Sequence, residues 1–164
     1  MNGLLLFLAV LHLSGSEVSN PSFRDYTVRR IYRGKPATVD LRSHPAARRF
    51  RTRLRRGSVK GPNFAGHFIV VTWGCGSSCQ VHAIIDAKTG RVFFPLSHPT
   101  SEGACFRLDS SLFVTDPINR ETWQGWKGDL PDWLKTRYFR WTGSHMIEII
   151  SSRAMFELPC TLQW

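Results

Sequence analysis

Four cysteines, Cys75, Cys79, Cys105 and Cys160, are the first residues in this chain whose type and spacing point to chemistry. A redox-active pair of the thioredoxin kind has two residues between its thiols and sits at a helix start, which favours the thiolate. Here Gly76, Ser77 and Ser78 intervene and both flanks have strand character, so the expected chemistry is structural oxidation. Four cysteines allow three pairings. The simplest joins Cys75 to Cys79 across a tight loop and leaves Cys105 for Cys160, a longer closure contributing on the order of 4 kcal/mol in the chain-entropy account.

Other chemistry has weaker support. His67, His82, His98 and His145 lack the close pairing of a zinc module, and no metal or cofactor is expected. Cys75, His82 and Asp86 can be assembled on paper into a nucleophile, base and orienting acid, but this needs a free thiol. No nucleophile elbow, HExxH or phosphate loop is present. The expectation is therefore a binding protein, with a hydrolase or thiol enzyme ranked behind it.

Arginines supply the clearest claim on a partner. The net charge of +10 is concentrated near the start: residues 17–62 hold thirteen Lys or Arg against three acids, and residues 63–164 hold nine of each. Ser43 as N-cap and Pro45 in the first turn predict a helix of about three turns. Gly57 would end it. Ala46, Ala47, Phe50 and Leu54 would form its apolar side, and Arg48, Arg49, Arg51, Arg55 and Arg56 its cationic side. Guanidinium forks suit phosphate and carboxylate groups. Trp123 and Trp126 lie in an aromatic stretch and are further candidates for contact.

The elements that must position these groups are mostly strands. Residues 26–32 and 37–41 are expected to form a hairpin about the turn 33–36. Residues 66–73 and 80–86 form a second, closed by the loop 74–79. Symmetry about Ser77 would put His67, Ile69, Val71, Trp73, Val81, Ala83 and Ile85 on the core side. The opposite face, with Phe68, Val70, Thr72, His82, Ile84 and Asp86, is mixed in character. Asp86 to Gly90 is a turn, and strands are expected at 91–94, 105–108, 112–115, 137–141, 146–150 and 154–158. The fold class is α+β: an antiparallel meander with one amphipathic cationic helix packed on it and a disulfide-stapled hairpin.

The apolar run Leu4–Leu13 is shorter than the roughly 20 residues a membrane span needs. Followed by Ser14, Gly15 and Ser16, it is expected to be a signal peptide, residues 1–16, ahead of a single domain, 17–164. No cysteine follows it to carry a lipid anchor. The product would be periplasmic or secreted and not membrane-spanning, which disfavours nucleic acid as the partner.

Three stretches, Gly61-Pro62-Asn63-Phe64-Ala65-Gly66-His67, Trp73-Gly74-Cys75-Gly76-Ser77-Ser78-Cys79-Gln80 and Ala83-Ile84-Ile85-Asp86-Ala87-Lys88-Thr89-Gly90, carry a resemblance. In them the chain is similar to small exported proteins of Gram-negative bacteria. That resemblance implies a compartment and no activity. In architecture the cysteine loop also resembles that of periplasmic lysozyme inhibitors of the Ivy type, whose loop holds a His and an Asp where this one holds Gly76, Ser77 and Ser78. Two partner classes follow as expectations: an anionic envelope component met by the arginine helix, or a cell-wall hydrolase or similar protein met by the Cys75–Cys79 loop.

Overall fold

The computed structural model describes residues 21–118, 124–126, 131 and 134–149. The expected signal peptide, Trp123, Cys160 and the strand at 154–158 lie outside the described residues. A 3-10 turn, Pro45–Ala47, leads into helix α1, Arg51–Ser58. Among the described residues seven strands follow: β1 Phe68–Gly76, β2 Cys79–Asp86, β3 Val92–Phe93, β4 Ala104–Phe106, β5 Leu112–Thr115, β6 Arg137–Trp141 and β7 Met146–Ile149. They make an α+β fold in which the meander is divided between two antiparallel sheets, β1-β2-β3 and β4-β5-β6-β7. The division falls between Phe93 and Ala104. Pro95 and Pro99 lie there, and proline lacks the N–H a continuing ladder needs.

The β1–β2 hairpin has the register its symmetry implies, with Trp73 opposite Val81, Val71 opposite Ala83 and Ile69 opposite Ile85. These side chains pack with Ala47 and Leu54 beneath the helix. The opposite face is buried too. Phe68, Val70 and Ile84 meet Phe64, Phe113 and Trp141, so the second sheet lies under the first. A sheet covered on both faces gives up the apolar/polar alternation of a one-sided strand, which explains the unbroken run Phe68-Ile69-Val70-Val71. The outer face of the second sheet holds Cys105, Leu112, Val114 and Tyr138 against Phe23.

The strands expected at 26–32 and 37–41 do not pair with one another. The first donates from Val28 N to Asp109 O (2.8 Å) and from Tyr32 N to Gly66 O (2.8 Å). The second donates from Ala37 N to Ala87 O and from Asp40 N to Gly90 O, both 2.8 Å. Two glycines make these crossings fit. Gly66 and Gly90 take positive φ, 82° and 77°. A Cβ there would run into the backbone carbonyls of Arg30 and Thr38 respectively.

The helix also differs from expectation. His44, not Ser43, caps its start, the ring Nδ1 accepting from Ala46 N at 3.1 Å. Ser43 instead donates to Asp40 O (2.6 Å) and accepts from Val92 N (2.9 Å), tying the chain to β3. Bonds from Ala47 N to His44 O and from Arg51 N to Arg48 O keep the first turn in the tighter 3-10 form. The expected three turns are thus one 3-10 turn and an eight-residue α-helix.

Candidate functional site

Packing decides which side of the cationic segment faces out. Ala47 and Leu54 are fully buried on the first sheet. Phe50 is half-buried, its ring 4.8 Å from Trp73 and 5.9 Å from Phe94. With that stripe anchored, Arg48, Arg49, Arg51, Arg55 and Arg56 are all exposed, as is Arg53. The guanidinium carbons of Arg49 and Arg53 sit 5.5 Å from the Phe50 centroid and 5.9 Å from that of Trp73. Among the described residues none of the six makes an ion pair. Arginines elsewhere do: Arg107 grips Asp109 through two bonds of 3.0 Å, and Arg137 approaches Glu148 at 4.0 Å.

The charge layout of α1 does not favour the helix itself. Arg51 and Arg53 stand in its first turn, at the positive end of the helix dipole, and no acid is present there. Within α1, Arg51 and Arg55 are like-charge neighbours four positions apart, a pair costing about 0.2–0.5 kcal/mol. Only Arg55 and Arg56, in the last turn, agree with the dipole.

At the far end of β1 and β2 the Cys75–Cys79 disulfide closes the hairpin, with Cα atoms 5.1 Å apart. The expected six-residue loop is tighter than the spacing suggested. Both strands run through the cysteines, and Gly76 pairs with Cys79. A bulge between Gly74 and Gly76 takes Cys75 out of the ladder. Ser77 and Ser78 alone make the turn, with Ser78 at φ 45°. Gly76, Ser77 and Ser78 are exposed. Cys105 is disulfide-bonded as well. Trp126 is 46% exposed, one of three exposed large apolar side chains among the described residues.

The paper constellation of Cys75, His82 and Asp86 is not assembled. Cys75 is oxidised. Asp86 accepts from Lys88 N (2.8 Å) to close its turn and approaches His67 Nε2 at 3.9 Å. Partial burial first and the Lys88 ammonium second hold His67 below its ordinary pKa, against the pull of Asp86. That approach is therefore a weak polar contact at neutral pH.

His82 is buried in a polar chain that the sequence did not reveal. His82 Nε2 shares a hydrogen bond with Thr100 Oγ1 at 2.8 Å, and His82 Nδ1 shares one with Thr72 Oγ1 at 2.9 Å, so one ring nitrogen donates and the other accepts when the imidazole is neutral. Burial lowers the His82 pKa to about 4. A group neutral down to that pH is a poor general base near pH 7. The hint lay in His82 falling among apolar positions of β2, where a polar ring needs partners at both nitrogens.

A second missed feature is a clamp at Asp116, whose Oδ1 accepts from Ser101 N (2.6 Å) and Glu102 N (2.7 Å). Burial raises its pKa against the pull of those two bonds. Its φ is 46°, and its carbonyl accepts the Thr136 hydroxyl at 2.8 Å. These contacts tie the loop before β4 to the entry of β6. Among the described residues no group of three or more His, Cys, Asp or Glu is placed to hold a metal ion, and no helix is long and apolar enough to cross a membrane.

The fold and this surface define a class: a disulfide-stapled α+β protein with an unpaired cationic helix on its outside. Comparison with protein-family models, with curated proteins and with solved structures returned no match.

Proposed function

We propose that this protein is an exported binding module that engages an anionic component of the bacterial envelope through the α1 arginine face. One observation carries the reading. Arg48, Arg49, Arg51, Arg55 and Arg56 are exposed and make no ion pair among the described residues, the first two just ahead of α1 and the others on it, and the first turn of that helix holds arginine where its dipole favours an acid. Phosphate or carboxylate groups arrayed on a polymer or lipid headgroup would supply the missing partners by bidentate contacts. The oxidised cysteines fit work in an oxidising compartment, and the resemblance to small exported proteins of Gram-negative bacteria points the same way.

The test is co-sedimentation of the protein with purified envelope fractions at low and high salt. Binding that weakens steeply with salt, and disappears in the triple variant Arg48→Glu, Arg51→Glu, Arg55→Glu, supports the proposal. Pelleting indifferent to both changes reduces the helix to a solvated face. The exposed, covalently closed tip at Gly76, Ser77 and Ser78 favours a second reading, an inhibitor of a cell-wall hydrolase. In that case replacing Gly76, Ser77 and Ser78 by bulkier residues, with the disulfide kept, would abolish the complex.

A further inference from the structure

β1 is an edge strand of its sheet. Backbone groups of alternate residues in an antiparallel pair point towards the partner strand and away from it. Phe68 N donates to Phe64 O (2.9 Å), and Phe68 O accepts from Phe64 N (3.0 Å), on the side away from β2. Val70 is satisfied on that same side by a side chain. Asn63 Oδ1 accepts from Val70 N at 2.7 Å, and Asn63 Nδ2 donates to Val70 O at 3.1 Å. Asn63 thus imitates a neighbouring strand for one residue. By the same alternation, Thr72 and Gly74 turn their N–H and C=O groups outward, and among the described residues nothing bonds to them. Both residues are exposed. The bulge at Cys75 ends the regular edge.

Two donors and two acceptors in strand geometry form a template for one more extended segment. Charge decides what kind. Trp73, between the two open positions, carries the Arg53 guanidinium over its ring at 5.9 Å. A residue added opposite Trp73 would point its side chain to the same face, towards Arg53 and the cationic helix. A second copy of the chain is a poor occupant, since edge-to-edge pairing would set two arginine helices against each other.

We propose that the open edge of β1, at Thr72 and Gly74, is a strand-addition site for an extended acidic peptide, with a carboxylate opposite Trp73 held by Arg53. This site adjoins α1 through Arg53 but is built on the backbone of β1, and it needs no envelope polymer.

Isotope-labelled protein is titrated with the synthetic peptide acetyl-Thr-Val-Glu-Val-Thr-amide, and amide exchange is followed by NMR. The Thr72 and Gly74 amides should exchange about tenfold more slowly or better at saturation. N-methylation of the peptide bonds facing the protein removes two hydrogen bonds and should weaken binding about thirtyfold. Arg53→Glu should weaken it about fivefold. Equal binding of the N-methylated peptide would overturn strand addition in favour of simple attraction to the arginines. Unchanged exchange at Thr72 and Gly74 would overturn the site. Protection that appears without peptide as protein concentration rises would overturn the acidic-peptide assignment and make a second copy the occupant. The N-methylated probe leaves the protein unaltered, so the outcomes that decide strand addition do not depend on the Arg53→Glu variant folding.

Discussion

The two faces of the first sheet are covered by very different layers. On one, Ile69, Val71, Trp73, Ala83 and Ile85 lie under a short helix that contributes Leu54 as its one fully buried large side chain. On the other, Phe68, Val70 and Ile84 meet an aromatic layer. There Phe113 stacks on Phe106 at 5.6 Å and meets the edges of Phe64 at 5.6 Å and His82 at 5.8 Å. The aromatic layer is deep, and its one buried imidazole is fully partnered. The helical layer is thin and carries charge arranged against its own stability. One face secures the fold, while the other presents a surface with unmet electrostatic demand.

This contrast can be broken most forcefully at Phe113. Phe113→Ala should cost about 3–5 kcal/mol in urea unfolding, and Leu54→Ala about 2–5 kcal/mol, towards the lower end because a two-turn helix can shift into the gap. Should Leu54→Ala prove clearly the costlier, the helix is the principal support and the contrast is reversed.

The buried imidazole gives the aromatic side a pH signature. Unfolded His82 takes up a proton below its ordinary value near 6.5, whereas folded His82 does so only near pH 4. Between those values the unfolded chain binds more protons, so stability falls as pH drops, by about 3 kcal/mol in all, and levels off below. Urea unfolding from pH 7 to pH 4 should show this decline in the parent, and His82→Gln should flatten it. A parent with the same slope as the variant would show that His82 is not the group responsible.

At the hairpin tip, replacing Cys75 and Cys79 together with Ser should cost about 2 kcal/mol, the chain-entropy value for so short a loop. The loss should appear in the unfolding midpoint without moving the His82 pH profile. The smallest effect belongs to the helix surface. Arg51→Glu, in the first turn, should raise stability by about 0.3–1 kcal/mol at low salt, and added salt should shrink the gain. A loss of stability instead would mean that Arg51 has a structural partner, and the unmet demand of the helical side would be smaller than proposed.

Strong turns and alternation made much of the sheet legible. The turn at Asp86 to Gly90 marked the end of β2, and the strands expected at 112–115 and 137–141 are β5 and β6. The symmetric spacing about Ser77 gave the hairpin its register. The arginine side of α1 followed from Leu54 and Ala47 on one stripe. Legibility failed wherever a segment's partner is distant in sequence. Residues 26–32 and 37–41 looked like a hairpin because they are near each other, yet their carbonyl partners lie at 66, 109, 87 and 90. Period-two alternation identifies two faces without saying whether the second is covered, so the aromatic layer under Phe68 and Val70 was invisible.

Local sequence by itself therefore determined what depends on neighbours: the turn residues, the hairpin register, the Cys75–Cys79 closure and the arginine-rich helix side. Those are fixed by steric preference and by spacings of a few residues. Only the tertiary structure decided which chain segments cross at Gly66 and Gly90, that His82 is buried between Thr72 and Thr100, and that among the described residues nothing pairs with the β1 edge at Thr72 and Gly74. Each of these is a contact between residues far apart along the chain or a vacancy left by one. Such contacts are selected by the packing of whole layers, which no local pattern encodes.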